Sequence, residues 1–479
     1  MFETLQKAIE AFEAQGELVR VKEPLSPHLE ISEVTDRVVK KRGPALLFER
    51  PAGHGYPVLT NLFGSLKRVQ AIFDIRSLDD LGRRFETLLN VRPPTGWIDK
   101  LKLLPRMKEL GDIFPKTVKD APCQEVVETE KCDLGALPVL TCWPEDGGPF
   151  ITLPVVVTRD PASGRRNVGM YRMQVFDAKS TGMHWHLHKG GAAHYLQAAR
   201  GSAPMPVAVA LGPDPITTYS ATAPLPDGID EFMLAGFLRR KPVKLVRCVT
   251  CDLEVPAESQ FVIEGFVRPG ETRREGPFGD HTGFYSPADD YPVFHVTAIT
   301  RRSNPIYTAT VVGRPPMEDG LLGKVTERLF LPLIRQQMPE IVDMNLPVEG
   351  VFHNLCFVAI DKRYPGHAQK VMHALWGLGQ MMFTKMIFVF DAEVDVQNVG
   401  EVLFRLGGNV DPGRDLTVVR GPVDALDHAA PLPNLGTKMG VDCTRKWSGE
   451  GYEREWPELI RMSDSVRTKI DQLWNRLKL

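Results

Sequence analysis

Three short segments of this chain hold the residue types that could do chemistry. They are residues 167–172 (NVGMYR), 184–188 (HWHLH) and 275–280 (EGPFGD). Together they offer a permanent cation, imidazoles that can bind a metal, and two carboxyl groups flanking a Gly/Pro turn. This combination is typical of an enzyme that binds an anionic substrate and moves a proton.

The two acids of the third segment, Glu275 and Asp280, are separated by a turn that glycine and proline set. Two carboxylates that converge on one pocket repel each other, which raises the pKa of one of them and makes it a general acid near neutral pH. Two solvated acids on a loop are the alternative. Arg172 lies in a strand-like run, from which a guanidinium could bind a substrate carboxylate through two hydrogen bonds. For an isolated arginine the alternative is an exposed ion pair across strands.

The histidines of the second segment alternate along the chain. On a strand, His184, His186 and His188 would all point to one face. Neutral imidazole is a common ligand for manganese, zinc and iron. Histidines on a solvated strand face are the alternative, but three of the chain's 12 histidines lie within this segment. The cluster therefore indicates at least one metal ligand, although the spacing does not say which.

Lys438 lies in a predicted glycine-rich turn, residues 436–440, where an ammonium group and backbone amides would suit a phosphate. The run lacks the spacing of a P-loop, and the chain has no GxGxxG after a strand, no HExxH and no GxSxG. The sequence therefore contains none of the usual motifs of a nucleoside triphosphatase, a zinc protease or a serine hydrolase. Cys248 and Cys251 form a single CxxC pair without the further ligands of a zinc site, so we expect a structural role for them.

The composition sets limits on the class of protein. The 479 residues suggest about three domains, and 58 basic against 60 acidic residues give a net charge of −2, which does not favour a nucleic-acid-binding protein. Seven cysteines, an odd number, fit a reducing compartment. The N-terminus has acids where a signal peptide would have an apolar core, and no stretch is apolar enough to span a membrane, so we expect a cytoplasmic protein.

The patterning of apolar residues predicts four regions. Residues 1–120 predict a mixed α/β domain with a helix at 3–14, strands at 17–21, 45–48 and 58–60, and a linker with helical parts from residue 92. Residues 121–320 alternate short β-rich runs with Pro/Gly turns, which is typical of a barrel or sandwich. These runs lie at 154–158, 171–176, 207–211, 244–249, 260–267, 293–301 and 306–312, and one helix interrupts them near 231–240.

The last two regions have different patterns. Residues 321–452 alternate helix and strand, which predicts a parallel sheet covered by helices. Residues 453–479 predict an amphipathic helix, whose apolar stripe must pack on its own domain or on a neighbouring subunit.

Taken together, these segments resemble the UbiD family, reversible decarboxylases that use prenylated flavin mononucleotide (FMN). The resemblance extends through most of the chain and is carried, in the family's order, by residues 167–172, 225–231, 275–283, 312–316 and 436–442. Within the family, the chain looks most like the branch that acts on 4-hydroxy-3-polyprenylbenzoate in ubiquinone biosynthesis. Residues 183–191 and 438–447 support that branch.

The resemblance implies a catalytic trio. Arg172, Glu275 and Asp280 match the family's Arg–Glu–acid set, with Asp280 one methylene shorter than the glutamate of some relatives. Arg172 would orient the substrate carboxylate beside the cofactor, and Asp280 would hold the arginine. Glu275 would donate the proton that replaces carbon dioxide.

The resemblance also implies a cofactor site. Asn167, His188 and Glu231 would hold a divalent ion, usually manganese, against the flavin phosphate, and Lys438 would contact that phosphate. His188 is chosen among the three histidines because it directly precedes the Lys-Gly-Gly run that follows the ligand in this branch. A potassium ion nearby is a further expectation.

The implied fold is α/β with a central split β-barrel of the flavin-reductase type, at 121–320, between the N-terminal α/β part and the C-terminal α/β domain. The implied partners are a flavin prenyltransferase that supplies the cofactor and further copies of the chain, as a homodimer or homohexamer. A prenylated substrate would bring the enzyme to the surface of the inner membrane.

Other functions stay open at this point. The substrate could be another aromatic acid, such as a naphthoate of menaquinone biosynthesis or a small phenolic or heteroaromatic acid. A metal-dependent hydrolase or a non-catalytic flavin-binding protein is the alternative from a different class.

Overall fold

A computed structural model of the chain describes residues 1–89, 111, 113–185, 190–201, 203–225 and 228–477. Most of the predicted linker at 92–120 lies outside the described residues. Twelve helices are described. They are α1 (Leu5–Ala14), α2 (Glu30–Lys40), α3 (Leu66–Phe73), α4 (Asp79–Leu89), α5 (Gly190–Gly201), α6 (Pro215–Ser220), α7 (Glu231–Arg239), α8 (Glu318–Gln337), α9 (His367–Trp376), α10 (Val399–Asn409), α11 (Pro412–Asp415) and α12 (Asp464–Trp474).

The strands of the first two thirds of the chain are β1 (Leu18–Val21), β2 (Ala45–Phe48), β3 (Val58–Thr60), β4 (Lys116–Val118), β5 (Val126–Glu128), β6 (Phe150–Ile151), β7 (Pro154–Arg159), β8 (Arg166–Gly169), β9 (Met173–Asp177), β10 (Ser180–Gly182), β11 (Met205–Leu211), β12 (Lys244–Arg247), β13 (Glu254–Pro256), β14 (Phe261–Glu275), β15 (Phe278–Gly279), β16 (Tyr285–Ser286), β17 (Asp289–Arg301) and β18 (Tyr307–Thr308). The C-terminal third adds β19 (Ile341–Asn345), β20 (Leu355–Ile360), β21 (Met386–Asp391), β22 (Leu416–Pro422) and β23 (Leu435–Asp442).

The N-terminal region is a small sheet with helices around it. Helix α1 forms as predicted, because Leu5, Ala8, Ile9 and Phe12 recur at helical spacing and are buried. The sheet has the strand order β1-β2-β3-β18. Its last strand, β18, comes from the run predicted at 306–312 for the central barrel, and pairs parallel with β3.

The central region holds one large curled sheet that forms a half-barrel, together with a three-stranded sheet of order β13-β12-β4, which contains the run predicted at 244–249, and the two-stranded sheet β15-β16. The strand order of the large sheet is β6-β9-β10-β17-β14-β11-β7-β8, and β5 pairs with β17. Both faces are covered: Val207 and Val209 of β11 belong to one buried cluster, and the alternating Ala208 and Ala210 belong to another, together with Phe232 of α7. The likeness of this sheet to a flavin reductase stays a prediction.

The C-terminal sheet has the order β19-β20-β21-β23-β22. The three inner strands are parallel, as predicted, but the two edge strands run antiparallel to them. Strand β23 occupies residues that we predicted to be a glycine-rich turn, and that prediction is wrong. Its Gly440 lies against α9, where an added Cβ would be 2.4 Å from the sulfur of Met372, so glycine here permits close packing of helix on strand.

The C-terminal helix α12 is shorter than the predicted 453–479. Within the described part of the chain none of its residues is buried, and Val466, Ile470 and Trp474 are 40%, 37% and 55% exposed. None of the described helices has both the length and the apolar content that a membrane crossing requires.

Candidate active site

The two predicted acids flank the segment 276–279, which contains the turn between β14 and β15 and strand β15 itself. Glu275 is the last residue of β14, and Asp280 follows β15 directly. Two side chains from outside hold the backbone of this turn: the amide of Gly276 donates to Gln174 Oε1 at 2.7 Å, and the amide of Gly279 donates to Asp146 Oδ1 at 2.7 Å. The turn is therefore fixed against the half-barrel, and so are the two carboxyl groups at its ends.

Arg172 lies between β8 and β9, one residue before β9 starts rather than in a strand as predicted for 171–176, and its guanidinium reaches both acids. Its Nε lies 3.3 Å from Glu275 Oε1, and its Nη1 forms an ion pair with Asp280 Oδ2. Its Nη2 donates to the hydroxyl oxygen of Ser286 at 2.9 Å, and the ring of Phe278 covers one face at 4.6 Å. The three predicted catalytic residues thus converge from positions more than a hundred apart in sequence.

The electrostatics of this cluster give Asp280 a permanent negative charge. Burial raises the pKa of its carboxyl group, but the charge of Arg172 and the hydrogen bonds from His281 outweigh that effect and hold the pKa well below its usual value. Asp280 accepts from both the backbone amide and the ring Nδ1 of His281, at 2.7 and 2.8 Å. It is therefore suited to hold the arginine and unsuited to give up a proton.

His184 contacts Glu275, a role that the sequence did not predict. Its Nδ1 lies 2.8 Å from Glu275 Oε1, and its ring packs on Tyr291 with 4.2 Å between centroids. Burial first, and then the charge of Arg172, lower the pKa of this imidazole well below 6.5, so it is neutral. Strand β10 ends at Gly182, so His184 lies outside a strand, and its side chain points into the acid cluster.

Asn167 and Glu231, two of the predicted metal ligands, lie close to the same stretch of backbone. Glu231 begins helix α7 and accepts from the amide of Val168 at 2.8 Å. The side-chain amide of Asn167 donates to the hydroxyl of Tyr171 at 3.3 Å. The carbonyl oxygen of the same side chain therefore faces Gly190, and a Cβ added to Gly190 would lie only 2.0 Å from this oxygen.

The chemistry of these two ligands fits a hard divalent ion. Both are oxygen donors, and burial raises the pKa of Glu231 to about 7, as expected for a carboxylate that gains from a nearby cation. The third predicted ligand, His188, and its neighbour His186 lie outside the described residues.

Lys438 lies on strand β23 and is buried inside the C-terminal domain. Its ammonium group donates to the backbone carbonyls of Met382 and Thr384 and lies 5.9 Å from the ring centre of Trp376. Burial lowers its pKa to about 8. The predicted contact with a phosphate stays a prediction, and the glycine-rich turn that suggested it is absent.

The CxxC pair, Cys248 and Cys251, has Glu264 beside it, with ligand atoms of all three within 4.8 Å of one another. Both oxygens of Glu264 already accept from the amides of Val249 and Thr250, at 2.8 and 2.6 Å. The carboxylate therefore stabilises the loop between β12 and β13, which explains its burial without a metal.

Comparison with known proteins gives three successive matches to one family. The N-terminal, Rift-related and C-terminal domains described for 3-octaprenyl-4-hydroxybenzoate carboxy-lyase match residues 9–85, 116–315 and 320–443. The chain belongs to the UbiD family. It is accordingly an enzyme of the carboxy-lyase class, and this favours decarboxylation over the hydrolase alternative.

Relatives of this UbiD chain match along its whole length. An uncharacterized protein of Archaeoglobus fulgidus is 52% identical over 479 residues, covering 100% of this chain and 99% of the relative. The vanillic acid decarboxylase of Sedimentibacter hydroxybenzoicus in its closed form is 29% identical, with a TM-score of 0.87 and 100% of each chain covered. Its open form gives 0.80 at 28% identity, covering 100% and 99%.

A third solved structure matches nearly the whole chain as well. The UbiD-class enzyme HmfF of Pelotomaculum thermopropionicum, in an evolved dimeric form with prenylated FMN, is 28% identical with a TM-score of 0.78, covering 95% of this chain and 97% of that one.

Proposed function

We propose that this enzyme removes carbon dioxide, reversibly and without oxidation, from an aromatic carboxylic acid bound beside prenylated FMN. The proposal rests first on the meeting of Arg172, Glu275 and Asp280 in one buried cluster. A guanidinium that can bind a carboxylate beside a carboxyl group that can give a proton is what such a reaction needs from side chains. The bound cofactor of HmfF and the family membership add support.

Arg172 would bind and orient the substrate carboxylate. In the present arrangement its donors face Glu275, Asp280 and Ser286, so a substrate must replace one of these partners. Ser286 is the neutral partner, and exchanging its hydroxyl for a carboxylate converts a neutral hydrogen bond into a charge-assisted one. Asp280 would keep its ion pair and hold the guanidinium in place.

Glu275 would supply the proton that replaces carbon dioxide on the ring carbon. Its side chain is fully buried, and His184 and Arg172 both contact Oε1, which orients the carboxyl group. Because the imidazole of His184 is neutral, it can donate one hydrogen bond to Glu275 without adding a second positive charge. Prenylated FMN, when bound, supplies the electron sink that no side chain offers.

The metal that accompanies the cofactor would be held by Asn167, Glu231 and His188. Two oxygen donors and an imidazole suit manganese, and a divalent ion would neutralise the buried carboxylate of Glu231. Lys438 would contact the flavin phosphate only after exchanging its two carbonyl partners. A potassium ion near the phosphate completes the proposed set of cofactors.

We further propose that the C-terminal domain, from β19 to β23, opens to admit the acid and then closes. The vanillic acid decarboxylase occurs in a closed and an open form, and this chain matches the closed form with the higher TM-score. In the present arrangement the loop at 281–284, which follows the catalytic acids, contacts that domain. Closure would exclude water from the cluster around Arg172.

The proposed partners follow from the same family. A flavin prenyltransferase would supply the cofactor, and the apolar residues of α12 would pack on another copy of the chain in a homodimer or homohexamer. A polyprenylated substrate would bring the enzyme to the inner membrane surface as a peripheral protein.

We propose 4-hydroxy-3-polyprenylbenzoate as the substrate, in line with the family's description and with residues 183–191 and 438–447. A small phenolic acid is the second candidate, because the vanillic acid decarboxylase matches the chain over its full length. A naphthoate remains a third choice.

A panel of these acids, offered to enzyme loaded with prenylated FMN, tests the proposal through carbon dioxide release. Turnover of the polyprenylbenzoate above vanillate supports the first choice, and the reverse order supports the second. Absence of a flavin spectrum, or no release from any acid, would reject the function itself.

A further inference from the structure

Two histidines join the catalytic acid turn to the C-terminal domain. Nε2 of His281 lies 3.0 Å from Nε2 of His353, and the ring of His281 stacks on Phe352 with 5.1 Å between centroids and 14° between planes. A second contact, between Phe284 and His428 at 4.0 Å, lies at the far end of the same loop. The C-terminal domain therefore contacts both ends of the segment 281–284 that directly follows Asp280.

The other side of His281 is bonded to Asp280. Both its backbone amide and its ring Nδ1 donate to Oδ1 of that carboxylate, while Oδ2 receives the guanidinium of Arg172. A continuous series of polar contacts thus runs from Arg172 through Asp280 and His281 to His353.

The pKa values of the two imidazoles shift in opposite directions. Burial lowers the pKa of His281, but the hydrogen bond and charge of Asp280 outweigh it, with further help from Asp319 and Asp424, so the net shift is upward. Burial lowers the pKa of His353 to about 4, against the opposing charges of Asp424 and Asp427. A proton shared by the two Nε2 atoms is therefore held more strongly by His281, with His353 as its acceptor.

The backbone before His353 is held in an unusual conformation. Val351 and Phe352 have φ angles of +45° and +51°, in the left-handed region that branched and bulky residues rarely adopt. Such conformations cost free energy and persist where the surrounding structure requires them. Here they turn Phe352 and His353 toward His281.

We propose that His353 is a positioning residue, which on closure of the C-terminal domain fixes His281 and, through it, the orientation in which Asp280 holds Arg172. The proposal rests on the proposed catalytic roles of Arg172 and Asp280. It makes the geometry of the catalytic acids depend on whether the domain is closed. A purely structural role, in which the two rings only fill the interface, is the alternative.

The test compares variants of His353 in the full-length enzyme loaded with prenylated FMN. His353→Leu removes the acceptor with a similar volume, and His353→Gln restores one through its amide oxygen. His373→Leu is the matched control, because His373 is exposed on helix α9 of the same domain. We measure kcat and KM with the best acid of the panel, and hydrogen–deuterium exchange of amides 281–284 in the cofactor-free protein.

We expect His353→Leu to lower kcat about tenfold with a smaller change in KM, the size expected for loss of one buried hydrogen bond. Exchange at 281–284 should become faster. His353→Gln should recover most of both effects, and His373→Leu should match the wild type. If His353→Leu does not fold, His353→Asn, whose shorter amide cannot reach His281, replaces it in the comparison with His353→Gln.

Two results would overturn the proposal. One is unchanged kcat and exchange in His353→Leu. The other is equal impairment of the Leu and Gln variants with equal loss of thermal stability, which would assign a purely structural role. If the wild type releases no carbon dioxide from any acid, the proposed function fails, and the exchange measurement alone then decides whether His353 fixes the loop.

Discussion

Replacing Glu275 by glutamine should abolish most turnover while leaving the fold and the cofactor site intact. The amide keeps an oxygen for Arg172 and His184, which lie 3.3 and 2.8 Å from Oε1 in the wild type. Arg172 also keeps its ion pair with Asp280, so no buried charge is left without a partner. The cost in the free energy of unfolding should therefore be about 1 kcal/mol, the value of one altered hydrogen bond.

The loss of turnover in Glu275→Gln should be far larger than its loss of stability. General acid catalysis contributes roughly 10²–10⁴-fold to a rate, and glutamine cannot supply the proton. Carbon dioxide release by cofactor-loaded enzyme measures this, with the flavin absorbance spectrum as the check on cofactor binding. Glu271→Gln is the matched control, because Glu271 lies on the same strand and its Oε1 contacts Nε2 of His295 at 2.9 Å in a more exposed setting. Turnover equal to that of the wild type would remove Glu275 from the role of proton donor.

Four further predictions concern the surroundings of this site. In Gly182→Ala the new Cβ would lie 2.5 Å from Oε2 of Glu275, so kcat should fall while cofactor binding persists; unchanged kcat would show that the carboxylate can move. Glu231→Gln should weaken manganese binding by about tenfold or more in equilibrium dialysis, and equal affinity would exclude Glu231 as a ligand. The depressed pKa of His184 means that its contribution to stability is present above pH 6.5 and is lost as the pH falls below it, because only the unfolded state then takes up the proton. When unfolding by urea is measured at pH 6.5 and at pH 5, the free energy of unfolding should accordingly fall less in His184→Gln than in the wild type. Removal of residues 464–477 should lower the oligomeric state in gel filtration, and an unchanged elution volume would contradict the proposed packing of α12 on another copy.

The local patterns in the sequence predicted elements where one physical requirement dominated. Helix α1 and strand β2 follow from an apolar stripe and from a short buried run, and both form at or close to the predicted positions. The turn between Glu275 and Asp280 follows equally from its glycine and proline residues. Predictions failed where packing against residues distant in the sequence determines the local secondary structure. Strand β23 contains Gly440, which lets helix α9 pack closely on the strand, whereas in the sequence the glycines of 436–440 indicated a turn.

The candidate site was likewise predictable only in part: its residues could be selected from the sequence, but their contacts could not. Arg172, Glu275 and Asp280 could be selected by residue type and by resemblance to the UbiD family. The contact of His184 with Glu275 depends on how strand β10 ends against β17, over a separation of 91 residues, and nothing in the local pattern encodes it. The bond from His281 to His353 likewise arises only when two domains meet.

A crystal structure of the enzyme loaded with prenylated FMN and soaked with a non-reacting aromatic acid would show whether Arg172 binds the substrate carboxylate. We expect the carboxylate of the acid to lie within about 3 Å of the Arg172 guanidinium. Glu275 should face the ring carbon that bears the carboxylate, and Asp280 should still hold the arginine. An acid bound away from Arg172, or with Glu275 turned from its ring, would contradict the proposed roles of these residues.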